Sequence, residues 1–144
     1  MAAGGSVRKN RMHSGTFPVS TKAHRQFTDI TSQAQQTVTE SAVADGILYL
    51  FNPHTTAGLT INEGCDPDVQ HDLLGVFRAI IPSSYPYRHA EGNSPAHMMA
   101  TLTGSSLTVI IVDGKLQLGT WQSIFFCEYD GPRSRQVNWR IIAG

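Results

Sequence analysis

SLTVIIVDGKLQLGTWQSIFFCEYDGPRSRQVNWRII, residues 106–142, decides the fold class. SLTVIIV and KLQLG flank Asp113-Gly114, a dipeptide suited to a two-residue hairpin turn because both positions tolerate positive φ. WQSIFFCEY and RQVNWRII follow, joined by a turn at Asp130-Gly131-Pro132. Four successive strands with short connections predict antiparallel pairing.

Upstream, helices alternate with strands. Ser94-Pro95 starts a short helix that ends near Gly104. Asp66-Pro67 starts a longer one: the carboxylate caps free N–H groups and proline fits the first helical position. Val69, Leu73, Val76, Phe77 and Ile80 then recur at helical spacing until Pro82 stops the run. AGLTIN (57–62) reads as a strand. ILYLF, opened by Gly46, is a continuous apolar run too short for a helix, hence a buried strand. Residues 32–43 read as a helix capped by Ser32, and 16–22 as the first strand. The order β-α-ββ-α-α-ββββ gives an α+β domain over 16–144, an antiparallel or mixed sheet with helices on one side. Residues 1–15 read as a flexible tail without the apolar core of a secretory signal.

The bulk composition narrows function by exclusion. The 144 residues carry zero formal net charge, so no global field draws the chain to nucleic acid or an acidic membrane surface. No apolar run approaches the roughly 18–20 residues that cross a bilayer. Cys65 and Cys127 sit far apart, in no metal-type spacing, and read as free thiols of a cytoplasmic protein.

Polar residues then stand out against this scaffold. His54-Thr55-Thr56 joins two core strands, a place where sites are held still, although the hydroxyls of a simple turn would explain it too. The 89–97 segment, HAEGNSPAH, is the richest. Gly92 gives backbone freedom, Asn93 and Ser94 give polar caps, and the N–H groups of a helix start follow, which together suit an anion. Pro95 removes one of those donors. His97 falls in the first helical turn, where the dipole favours a neutral imidazole able to bind a metal or accept a proton, and His89 can meet it across the loop. In the long helix, Asp72 lies at the edge of the apolar stripe, whereas His71 points away from it. Gln122, Glu128 and Asp130 share a strand face with Ile124 and Phe126, and Arg133 and Arg135 share one with Val137 and Trp139. Charges on core-facing positions must pair, as Asp130–Arg133 or Glu128–Arg135, or meet a ligand. Glu63 also needs a partner.

Three stretches, HTTAGLTINEGCDPDVQHDL (54–73), YRHAEGNSPAHMMATLTGSS (87–106) and GKLQLGTWQSIFFCEYDGPRSRQV (114–137), closely resemble the YjbQ-like family. The resemblance runs from about Gly46 to the C-terminus and is weaker over Thr16–Thr31. Gly58, where an alanine is usual, and the Gly64-Cys65 link are its departures. It implies a homotrimer with polar pockets. It also implies a weak thiamine-phosphate synthase activity, joining a pyrimidine-methyl diphosphate to a thiazole phosphate with release of diphosphate. The family's polar signature places catalytic roles on His54, Asp72, His89, His97 and Glu128. It places substrate or phosphate contacts on Thr55, Thr56, Asn62, Gly92, Asn93, Ser94, Gln122, Asp130 and Arg133. A divalent cation is expected with such chemistry: Mg²⁺ suits carboxylates such as Asp72 or Glu128, and a transition metal such as zinc suits His89 and His97. The competing readings are a non-enzymatic module for a phosphorylated metabolite or metal, and a metal-dependent hydrolase.

Overall fold

A computed structural model describes residues 13–144. Residues 1–12 of the expected tail lie outside that range, and Ser14 and Gly15 already belong to the first strand. The elements are β1 (Ser14–Ser20), β2 (Gln26–Asp29), α1 (Thr31–Ser41), β3 (Gly46–Phe51), β4 (Ala57–Glu63), α2 (Pro67–Ile80), α3 (Ser94–Thr103), β5 (Ser106–Val112), β6 (Lys115–Leu116), β7 (Gln122–Glu128) and β8 (Ser134–Ala143).

The α+β class is as expected, but the strands form two antiparallel sheets. The first runs β1-β8-β3-β5-β6 and the second β2-β7-β4. Strand β2 had no counterpart in the sequence reading. QFTD is too short and polar to announce itself, and its pairing with residues 125–128 of β7 defines it. The hairpin at Asp113-Gly114 forms with φ of 51° and 73°, although only Lys115 and Leu116 of KLQLG remain paired after it.

Helix α1 starts one residue before Ser32, and Ser32 does not cap it. The Thr31 amide and hydroxyl instead donate to Asp29 Oδ1 at 2.9 and 2.6 Å. The helix stops at Ser41, two residues early, because Ala42 turns left-handed at φ 56°. Helix α2 starts as its sequence predicts, with the Asp68 amide donating to Asp66 Oδ1.

Two hydrophobic layers result. Val19, Leu48, Leu50, Val109, Ile111, Val137 and Ile141 of the first sheet and its ends face Ala57, Leu59, Ile124 and Phe126 of the second, with Ile30, Ala34 and Val38 around α1 filling the same core. The other face of the second sheet, through Phe27, Phe125, Cys127 and Tyr129, packs on Ala96 and Met99 of α3 and on Leu73, Leu74 and Phe77 of α2. Strand β7 is therefore covered on both faces, which explains its unbroken apolar sequence. Strand β3 is equally apolar but buries only alternate residues. Leu48 and Leu50 face inward, while Ile47, Tyr49 and Phe51 are 39–40% exposed. In α2 the expected stripe is only half used, since Val76 and Ile80 stay exposed.

These layers predict contrasting stability effects. His71 sits with its side chain 78% exposed, so His71→Ala should change unfolding free energy by less than about 0.5 kcal/mol. Phe126, fully buried between the sheets, should cost about 3–5 kcal/mol when truncated to alanine. Urea unfolding of both variants measures this.

Candidate functional site

The polar loops converge at one end of the two-sheet sandwich. The connection 52–56 is organised by Asn52, which terminates β3 and is buried. Its side-chain N–H₂ donates to the His54 and Ala57 carbonyls at 3.1 and 2.8 Å, and its Oδ1 accepts from the His54 amide at 3.0 Å. Asn52 escaped the sequence reading, although the Asn-Pro pair closing an apolar run is a turn signal.

Behind this loop lies a buried ion pair between the sheets. Glu128 Oε1 accepts from Arg135 Nε at 2.8 Å and from the Thr21 hydroxyl at 2.7 Å. Its Oε2 accepts from Arg135 Nη2 and from the Asp130 amide. Arg135 Nη2 also donates to Thr56 Oγ1 at 2.9 Å, tying the 52–56 loop to the pair. Burial alone pushes the Glu128 carboxyl upward. The hydrogen bonds from Arg135, Thr21 and the Asp130 amide, with the Arg135 charge, outweigh it and hold the group below the usual glutamate value. Thr21, like Asn52, was not anticipated; a lone threonine after a strand gives no sequence signal.

A second network lies on the facing loop. Asp130 Oδ2 accepts from Arg133 Nη2 at 3.0 Å and from Asn93 Nδ2 at 2.9 Å, while Arg133 Nε donates to the Asp130 carbonyl at 2.7 Å. His24 Nε2 stands 3.9 Å from Asp130 Oδ1. Asn93 Oδ1 in turn meets His89 Nε2 at 3.1 Å. The His89 and His97 rings pack edge to face with centroids 5.1 Å apart. Gly92 takes φ 76°, the left-handed conformation that its place in the loop anticipates.

Between the two networks lies an open pocket of about 460 Å³. His54, Thr55, Thr56, His89, Asn93, His97 and Arg133 line it together, with Pro53, Glu91 and Arg135. Both ion pairs weighed from the sequence, Asp130–Arg133 and Glu128–Arg135, are formed. Glu128 and Asp130 lie off the pocket wall, each behind the arginine it holds. Ser94 is buried in the first turn of α3, and its hydroxyl has no hydrogen-bond partner among the described residues. His54 is pushed below its ordinary value by burial first and the Arg135 charge second, against the opposing pull of Glu128. The Gln136 amide donates to its Nε2 at 3.0 Å.

Three expected site residues lie elsewhere. Asp72 is 78% exposed on α2 beside His71, because the helix packs through Leu73, Leu74 and Phe77 and turns its charged edge to solvent. Asn62 and Gln122 sit at the opposite end of the paired strands β4 and β7, about 20 Å along β7 from Glu128 at some 3.3 Å per residue. Gln122 there accepts from the Gly119 amide, and Glu63 pairs with Gln122 in register. The expected metal set of His89, His97 and Asp72 therefore does not assemble. Among the described residues no three His, Cys, Asp or Glu side chains converge as ligands. The pocket does hold His54, His89 and His97 together with Glu91, whose Oε2 lies 3.8 Å from His89 Nε2.

Fold and site together define an α+β protein of two antiparallel sheets with a polar pocket at the sandwich end. The chain belongs to the family described as UPF0047 protein YjbQ-like, which matches residues 15–144. A UPF0047 protein of Methanocaldococcus jannaschii is 47% identical over 126 residues, covering 88% of this chain and 91% of that protein. A crystal structure of a YjbQ/UPF0047 family protein from Clostridium acetobutylicum superposes with TM-score 0.86 at 50% identity, covering 88% of this chain and 98% of the other. One from Sulfolobus solfataricus, described as a YbjQ-like protein of unknown function, gives TM-score 0.87 at 32% identity, covering 93% and 99%. These findings correct the expected thiamine-phosphate synthase activity. The relatives carry only the UPF0047 designation and the structural neighbours no assigned function, so nothing indicates coupling of a pyrimidine to a thiazole.

The depressed Glu128 carboxyl carries a pH signature. Its stabilising effect is fully present above the unfolded glutamate value, about 4.3, and is lost as pH falls through the lower folded value. Glu128→Gln should lose about 3–5 kcal/mol at pH 7, because it leaves Arg135 buried without its counter-charge. It should also flatten the acid limb of the stability curve. Denaturant unfolding from pH 7 to 3 checks both.

Proposed function

We propose that the end pocket binds a small phosphorylated molecule. The observation that supports this most is the meeting of Arg133, Arg135 and the N-terminal loop of α3 around one pocket, with the partner carboxylates Asp130 and Glu128 off its lining. A guanidinium presents a planar fork suited to phosphate oxygens, and Thr55 and Thr56 add hydroxyls. Arg135 Nη1 makes no hydrogen bond among the described residues, so a ligand can use it. We read the site as that of an enzyme because the imidazoles of His89 and His97 stand at the same pocket, where general acid–base catalysis would need them.

Calorimetric titration of inorganic phosphate tests the binding. A charge-assisted contact is worth about 1.5–3 kcal/mol, so Arg133→Ala should weaken phosphate by roughly tenfold to a hundredfold. If Arg133 serves only Asp130, the variant melts lower and binds phosphate as wild type does.

We also propose that the chain works as a homotrimer in the cytoplasm. Support comes from the outer face of the first sheet, where Ile47, Tyr49, Phe51, Ile110, Val112 and Ile142 are 39–60% exposed. Adjacent strands bring them together, with Ile47 opposite both Ile110 and Ile142. A contiguous apolar face of this kind marks an interaction surface. Among the described residues no helix is long and apolar enough to cross a membrane, and both cysteines are free thiols. Light scattering should give a trimer mass for wild type and a smaller one for Ile110→Glu; a wild-type monomer at micromolar concentration removes the proposal.

A further inference from the structure

The protonation pattern of two pocket histidines follows from neighbours that can play only one role. A backbone amide can only donate, so the Gln136 N–H at 3.0 Å requires a bare Nε2 on His54. The neutral ring then carries its proton on Nδ1. On the opposite wall, the carboxylate of Asp130 can only accept, so it takes the N–H₂ side of Asn93 at 2.9 Å. That turns Asn93 Oδ1 toward His89, 3.1 Å from Nε2. An amide oxygen can only accept, so His89 carries its proton on Nε2 and, when neutral, has a bare Nδ1. That nitrogen makes no hydrogen bond among the described residues. The edge-to-face packing of His97, with rings 88° apart, helps hold the ring in place.

When both rings are neutral the pocket therefore presents two imidazoles of opposite character, His54 a donor through Nδ1 and His89 an acceptor through Nδ1. Both line the same space with Arg133 and Arg135. The fully ionised phosphate group of an ester offers acceptors only, so it satisfies the donors and leaves the acceptor unused. At about 460 Å³ the space is within the range of small-molecule sites rather than of a single ion. Whatever meets the bare nitrogen of His89 must donate a proton, as a neutral hydroxyl does.

We infer that the pocket recognises a phosphate ester with a hydroxyl near the phosphate, the phosphate held by His54 and the arginines and the hydroxyl by His89. This rests on the reading of the pocket as a phosphate site and adds the second half of the ligand. Asn93 and Asp130 are then positioning residues, which set the tautomer of His89.

Calorimetry with inorganic phosphate, methyl phosphate and glycerol 3-phosphate separates the two levels. Glycerol 3-phosphate should bind wild type about fivefold tighter than methyl phosphate, the size of one net hydrogen bond. In His89→Phe that advantage should vanish, the two esters then binding with equal affinity. The His89 side chain is 45% exposed, so this variant keeps the fold. Equal affinity of the two esters for wild type, or an advantage that survives in His89→Phe, overturns the hydroxyl inference and leaves the phosphate reading standing. Failure of both phosphate and methyl phosphate to bind overturns the phosphate reading and this inference with it. Long-range ¹⁵N spectra of the wild-type histidines give an independent readout. His54 should show the Nδ1–H tautomer and His89 the Nε2–H tautomer; the reverse at either ring overturns the inference.

Discussion

The end of the molecule where the pocket lies depends on one buried interaction, the Glu128–Arg135 pair that crosses from the second sheet to the first. Either charge alone in that interior would be strongly unfavourable. Together they close a network with Thr21 after β1, the Asp130 amide after β7 and Thr56 before β4. The pair thus sets the spacing of two sheets and the position of the 52–56 loop at once. Its surroundings are shaped to it. A methyl group on Gly131 would lie 2.7 Å from Glu128 Cγ and 2.5 Å from the Ala23 carbonyl oxygen, so the turn after β7 must pass without a side chain.

How much of this was legible in the sequence depends on which physical signal each element carries. Turn chemistry was reliable: Asp113-Gly114 and Asp66-Pro67 each specify a local conformation that tertiary contacts do not override. Apolar runs were ambiguous. Ile124–Tyr129 and Ile47–Phe51 look alike in sequence, yet one strand is covered on both faces and the other on one, because coverage depends on what the chain brings opposite. Strand β2 was invisible because its four residues owe their conformation to β7. Gly58 shows a compensation that one position cannot reveal. The space an added methyl group would fill is taken by Thr103 Oγ1, 2.1 Å from that point, and the same hydroxyl bonds Tyr129 at 3.1 Å.

The site was legible where residues share a short loop and obscure where they share only a strand or helix. His54–Thr56 and His89–His97 each move as a unit, so placing one member places the rest. The core-facing charges on β7 and β8 were legible as a demand for partners, and the structure meets it. Gln122 shares the Glu128 face of β7 but lies at the far end, because alternation fixes the face and not the depth. Asp72 shows the corresponding weakness of a helical projection. The edge of a stripe borders a cleft only if the helix is packed across its full apolar width, and α2 is packed across half.

The arrangement of charge constrains how the pocket can select a ligand. Arg133 and Arg135 are balanced by Asp130 and Glu128, and Glu91 stands exposed at the rim, so the pocket has no large positive excess. The whole chain is also neutral. Long-range steering of an anion is correspondingly weak. Selection must therefore act at contact distance, through donors whose directions are already fixed: Arg135 by Glu128, Arg133 by Asp130, His54 by the Gln136 amide. Holding these groups in place before the ligand arrives lowers the ordering cost of binding. The same bonds oppose any rearrangement to suit a different shape, because each donor that turned toward a new ligand would strand a carboxylate or an amide. A pocket of this construction discriminates by hydrogen-bond geometry more than by charge.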